Sequence, residues 1–236
     1  MLGVIAGYDP NDSTSSREPV PDYSLALDRD IKGVRVGVVR ELQNGLSVEV
    51  ADGFAAALKQ LAALGADVEE VSMPSIEAAP MVALNIIWSE ALEYHENWIP
   101  TRADAYGKGV RRMLEMAMTL PLTAYIRAQR ARAAIFGDAM RTLERCDVLA
   151  TPTCGAPPPK IADARHSSAA GLAEVIRYTG PFNVTGQPAI AVPIGITAQS
   201  APLSMQIVGR PFDEMAILRV ADAYERARGP LPAPNF

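Results

Sequence analysis

Apolar positions recur along this chain with two periods, and each change of period marks an element. Residues 34–39 read Val-Arg-Val-Gly-Val-Val and place Val34, Val36 and Val38 on one face of a strand. Residues 47–64 change to helical spacing, with Phe54, Leu58 and Leu61 as the stripe, Ser47 as N-cap and Gly65 as the stop. Residues 66–73 alternate again. A strand, a helix and a strand in about forty residues predict a βαβ unit with parallel strands and a right-handed crossover.

Residues 75–145 are mostly helical in pattern, with Pro80 suited to a first turn and a last helix over 121–145. A strand follows at 147–151, then a Pro-rich loop, a short helix near 168–177 and a closing helix over 213–228, capped by Asp213 and ended by Gly229. Between the last two lies a polar, turn-rich loop at 179–186 and two apolar runs, 189–192 and 203–208, which read as buried strands. At the other end, residues 1–7 read as the last turns of an apolar helix, with Leu2, Val4, Ile5 and Ala6 packed inward and Gly7 as a left-handed cap. The fold class is α/β.

Composition narrows the function. The chain has 236 residues, 49% of them apolar, enough for one large α/β domain or two small ones. A net charge of −5 argues against a nucleic-acid surface. No apolar run approaches the ~20 residues of a membrane span, and the first residues lack the basic region of a signal peptide. Two cysteines, Cys146 and Cys154, make neither a disulfide framework nor a metal motif. A cytoplasmic protein without cofactor or metal is expected.

The candidate chemistry is thin. The four lysines, Lys32, Lys59, Lys108 and Lys160, lie at the start of a strand, on the polar side of a helix and in loop-like stretches. A lysine base must be buried to be neutral near pH 7, and these positions suggest exposure. Ser15-Ser16 sits in a turn-rich loop without flanking glycines to form an oxyanion hole. His95 reads as a helical surface or packing residue and His166 as a loop residue. Neither belongs to a Gly-x-Ser-x-Gly setting. Cys154 follows a strand in a Gly/Pro loop, where α/β sites collect, but no histidine is placed beside it by the sequence. Arg111-Arg112 could grip a carboxylate, although a solvated basic turn is the simpler reading.

Five segments carry a resemblance, in order: VIAGYDPNDSTS, DIKGVRVGVVRE, DVLATPT, the stretch YTGPFNVTGQPAIAVPIGITAQSAPLSMQIVGR, and GRPFDEMAILRVADAYE. Together they resemble the carboxy-terminal portion of the amidase signature family, Ser-cisSer-Lys amide hydrolases. The resemblance covers residues 1–236 as one partial domain. It implies an α/β/α sandwich with a mixed sheet, helices on both faces, and hydrolysis of a small-molecule amide. The family's serine-rich nucleophile loop and catalytic lysine segment have no counterpart here, so no catalytic residue is assigned in this chain.

By the same resemblance, Thr153, Cys154 and Gly155, with the loop from Thr179 to Asn183, line a substrate pocket facing the amino-terminal half. Where relatives have Gly-Leu-Pro-x-Gly, this chain reads Ser200-Ala201-Pro202-Leu203-Ser204, which narrows the backbone freedom of a hairpin. In the family, the tRNA amidotransferases carry an acidic residue before the Thr-x-Pro-x-Asn loop. That place holds Ile176, flanked by Val175 and Arg177, and Glu174 is two positions off. A general amidase is therefore favoured over a glutamine-specific one. The expected partner is a complementary amino-terminal chain, or another copy by self-association. A non-catalytic interaction module and an independent hydrolase using Cys154 or a serine are the competing readings. If the amino-terminal strands are missing, the strands at 34–39, 189–192 and 203–208 are expected to show bare faces or edges.

Overall fold

A computed structural model describes residues 1–160, 173 and 175–232. Strand β1 (Arg35–Val39) leads through a short 3-10 turn into α2 (Val48–Ala63), then into β2 (Asp67–Val71), after an opening turn of helix, α1 (Leu2–Ile5). Ser47 Oγ accepts from the Val50 N–H at the start of α2, and Gly65 ends it at φ +90°. β1 and β2 pair in parallel, Val36 opposite Val68, as the alternating pattern requires. The helices α3 (Ala79–His95), α4 (Ile99–Arg102), α5 (Lys108–Ala117) and α6 (Leu122–Arg145) follow. Strand β3 (Val148–Pro152), α7 (Gly180–Thr185), β4 (Ala189–Ile196), β5 (Pro202–Val208) and α8 (Glu214–Arg228) complete the chain.

The sheet runs in the order β2-β1-β3-β5-β4. β1 is parallel to both β2 and β3, and β5 is antiparallel to β3 and β4. Each strand sends alternate side chains to opposite faces, so two cores form. One holds Val39, Val71, Leu149 and Val208 against α3, α6, α7 and Tyr178. The other holds Val36, Val38, Val148 and Ile207 against α2 and α8. Val34, Val36 and Val38 share that second face. Gly37 points to the first, where an added Cβ would lie 2.7 Å from Cys146 Sγ.

At the end of the long helix α6 the Cys146 thiol donates to the Thr142 carbonyl at 3.4 Å. The carbonyl groups of Leu143 and, 3.0 Å away, of Cys146 accept from the Arg210 guanidinium, which follows β5. A cation at a helix C-terminus also meets the negative end of the macrodipole.

Several expectations are corrected. Leu2, Val4 and Ile5 do not pack inward, since Val4 is 87% and Ile5 74% exposed. Gly7 is no left-handed cap, because α1 ends at an extended Ala6 and Gly7 takes φ +140°. The stretch 179–186 is mostly helix rather than loop. Pro181 sits in the first turn of α7, and Gly186 closes it at φ +71°. Lys108 opens α5 instead of lying in a loop. Of the strands expected to be bared, β1 and β5 are internal and buried. Among the described residues β4 alone of the three is an open edge, and it is not the buried strand that its apolar run suggested. The helix expected near 168–177 falls mainly outside the described residues, as does His166.

Candidate functional site

From β1 the chain passes to β2 on one side of the sheet and later returns to β3 on the other. Such a reversal of direction opens a crevice beyond the carboxyl ends of the two central strands, the usual ligand position in α/β sheets. Residues 44–47 leave β1 there and residues 153–155 leave β3 there, and the two segments are tied together. The Gly155 carbonyl accepts from the Ser47 N–H at 2.8 Å, and the Thr153 N–H donates to the Ser204 carbonyl at 3.2 Å.

Tyr178 forms the floor of this junction. Its ring is fully buried, and its hydroxyl donates to the Asn44 carbonyl at 3.3 Å. Its own carbonyl accepts from Gln206 Nε2 at 3.0 Å, and the same amide reaches Thr151 Oγ1 at 3.1 Å. Gln206, at 5% exposure, is one of the few buried polar side chains, and both of its donor bonds are spent on holding β3, β5 and Tyr178 in place. Gly155 must be glycine, because a Cβ would come 2.7 Å from the Tyr178 hydroxyl.

A cavity of about 710 Å³ lies over the junction, lined by Gly45, Val50, Cys154, Gly155, Val175 and Ser204 among others. Of the five expected pocket residues, Cys154 and Gly155 line it. Thr153 turns its hydroxyl into a buried position without a hydrogen-bond partner among the described residues. Thr179, at the start of α7, is half-buried and does not line the cavity, and Asn183 is exposed on α7. The sequence reading missed Asn44, Gly45, Ser47, Tyr178 and Gln206. Only the strand order brings them to the crevice, so no local motif could have marked them.

Among the described residues the lining contains no base. Burial pushes the Cys154 thiol up, which lowers its thiolate fraction and its value as a nucleophile. His95 is engaged elsewhere: its Nδ1 lies 3.0 Å from the Tyr106 hydroxyl, and its ring packs edge-on to Tyr94 and Tyr106. All four lysines are exposed. Ser15 accepts from the Asp9 N–H in a surface turn, and Arg111 is paired with Glu115 at 2.8 Å and Asp104 at 3.2 Å. Among the described residues no group of three His, Cys, Asp or Glu side chains could hold a metal ion, and no helix is long and apolar enough to cross a membrane.

The fold is thus a mixed five-stranded α/β sandwich with a crevice at its switch point. The family model described as Amidase matches residues 1–218, and the chain belongs to the amidase signature family. The A component of the glutamyl-tRNA(Gln) amidotransferase of Thermosynechococcus vestitus is 34% identical over 254 residues, which span 96% of this chain and 52% of that protein. An amidase of Pseudomonas putida is 34% identical over 233 residues, spanning 96% and 50%. The crystal structure of the corresponding amidotransferase component of Thermotoga maritima superposes with a TM-score of 0.79 at 28% identity, over 96% of this chain and 51% of that one. A bacterial aryl acylamidase of the same family shares the fold, with a TM-score of 0.81 at 20% identity, over 96% and 50%. The chain spans about half the length of the relatives it matches.

Proposed function

We propose that this chain is the carboxy-terminal part of an enzyme that hydrolyses carbon–nitrogen amide bonds, and that it supplies one wall of the substrate cleft. The observation that carries this reading is the crevice itself, a cavity whose lining among the described residues offers glycine, thiol and hydroxyl groups but no base, in a chain half as long as its amidase relatives. Amide hydrolysis needs a nucleophile, a base and oxyanion donors. In this reading an amino-terminal part brings them to the cavity beside Cys154 and Gly155.

The test is an amide-hydrolysis assay with the purified chain, alone and with a complementary amino-terminal half. Loss of a nucleophile typically removes on the order of a millionfold of acceleration, so the chain alone should show no turnover of aliphatic or aryl amides. Turnover by the chain alone, abolished in Cys154→Ala or in one Ser→Ala variant, would make it an independent hydrolase and refute the proposal. A glutamine-using role is the second reading, motivated by the amidotransferase relatives. Ile176, half-buried at the place where the family resemblance implies an acidic residue in glutamine-using members, weighs against it, and hydrolysis of glutamine in preference to simple amides by the assembled enzyme would reverse that judgement.

A further inference from the structure

Helix α6 does not turn an evenly polar face outward. Ala128, Ile135, Ala139 and Leu143 meet the core. Away from it, Leu122 is 75% exposed, and Ile126, one turn on, is exposed as well. A groove of about 540 Å³ runs beside these two, between α3, the end of α5 and the start of α6. Leu120, Leu122 and Tyr125 line it, together with Glu90 and Glu93 of α3.

The charges around this apolar strip are sorted by sign. The Tyr125 hydroxyl donates to Glu90 Oε1 at 3.2 Å, so the acids stand on the α3 side. Leu122, Ile126 and Arg130 are spaced four apart and follow one ridge of α6. Arg127, two residues beyond Tyr125, falls on the opposite side of the helix from it. Both arginines are exposed. Among the described residues Glu90, Glu93, Arg127 and Arg130 make no ion pair, whereas Arg111, Arg141 and Arg145 each do.

A partner carrying one sign of charge would match only one flank. A second copy matches both. With a two-fold axis laid along the strip, Leu122 and Ile126 meet their own counterparts, and the acids of each copy face the arginines of the other.

We propose that this strip is a self-association surface, on which two copies of the chain join through Leu122 and Ile126 with Glu93 set against Arg130 twice, once from each side. The apolar contact drives association, and the charges fix the register. The surface lies on α3 and α6, away from the crevice lining and from the sheet edge, so the inference stands apart from the half-enzyme reading.

Sedimentation of the purified chain over a range of concentrations tests this. Wild type should form a dimer. Leu122→Asp should leave a monomer, and because the residue is exposed in the first turn of α6, where an acid suits the helix dipole, the variant should remain folded by circular dichroism. Arg130→Glu and Glu93→Arg each bring like charges together at two places, and each should raise the dissociation constant about 10-fold. Both changes in one chain should restore association. Mixing the two single variants should restore it too, because every contact then joins opposite charges again. A chain that stays monomeric at about 100 μM, or a dimer indifferent to all three single changes, would overturn the proposal. Weakening by each charge reversal with recovery in neither the double variant nor the mixture would overturn it as well. Binding of the half of the Pseudomonas putida amidase that this chain does not match, lost in Leu122→Asp, would assign the strip to an amino-terminal part and overturn the self-association.

Discussion

Gly155→Ala should destabilise the chain by way of a single ring. The new methyl would sit 2.7 Å from the Tyr178 hydroxyl oxygen, 2.8 Å from Cε2 and 3.0 Å from Cζ. Neither side yields freely. Tyr178 is fully buried and bonded at both ends, to the Asn44 carbonyl and from Gln206. The Gly155 backbone is held through the Ser47 N–H. Overpacking of this kind costs about 2 kcal/mol, which for a chain of this size lowers Tm by about 4–8 °C. Urea unfolding followed by fluorescence gives the difference directly. Tyr178→Phe removes the nearest atom, so Gly155→Ala combined with Tyr178→Phe should cost at least ~0.5 kcal/mol less than the sum of the single changes. A Gly155→Ala variant within about 0.5 kcal/mol of wild type, or strict additivity in the pair, would show that the crevice is not braced by this contact.

Two further outcomes are expected. Ser200, in the turn between β4 and β5, holds φ +65°, a left-handed conformation that costs a non-glycine residue about 1–2 kcal/mol. Ser200→Gly relieves that strain but loosens the unfolded chain, so stability should rise by no more than ~1 kcal/mol, and a clear loss in thermal melting would refute the strain. Burial pushes the Cys146 thiol from 9.0 up to about 11. Between those values the unfolded state has lost a proton that the folded state retains, so stability should be full below about pH 9 and fall by on the order of 1 kcal/mol per unit as pH rises toward 11. Denaturation midpoints of wild type and Cys146→Ala over that range should diverge in slope, and parallel lines would exclude the thiol as the cause.

Much of the fold was legible because its elements announce themselves locally. Ser47 and Gly65 bracket α2, Asp213 caps α8 through the Ala216 N–H, and alternation marks β1. The failures have physical reasons. Gly-Pro-Phe-Asn-Val-Thr has turn composition, and a six-residue helix has too few positions to display a period, so α7 read as a loop. An apolar run does not reveal whether a neighbour exists on its far side, so β4 read as buried. In the crevice, Cys154 and Gly155 were visible as a Gly/Pro loop after a strand. Asn44, Ser47 and Tyr178 were not, because what joins them is the placement of β3 beside β1, 112 positions apart at the Arg35–Asp147 bond.

The Arg210 side chain has a consequence for the order in which the molecule is assembled. The carbonyls that it satisfies end α6, yet Arg210 lies 64 and 67 positions further along, just beyond the β4–β5 hairpin. During synthesis the Leu143 and Cys146 carbonyls of α6 therefore emerge before the side chain that pairs with them, which arrives only with the hairpin. Fraying at residue 145 is thereby linked to the presence of β5, and the two segments should open and close as one cooperative unit. The final turn of α6 becomes a sensor of whether the carboxy-terminal third of the chain has arrived.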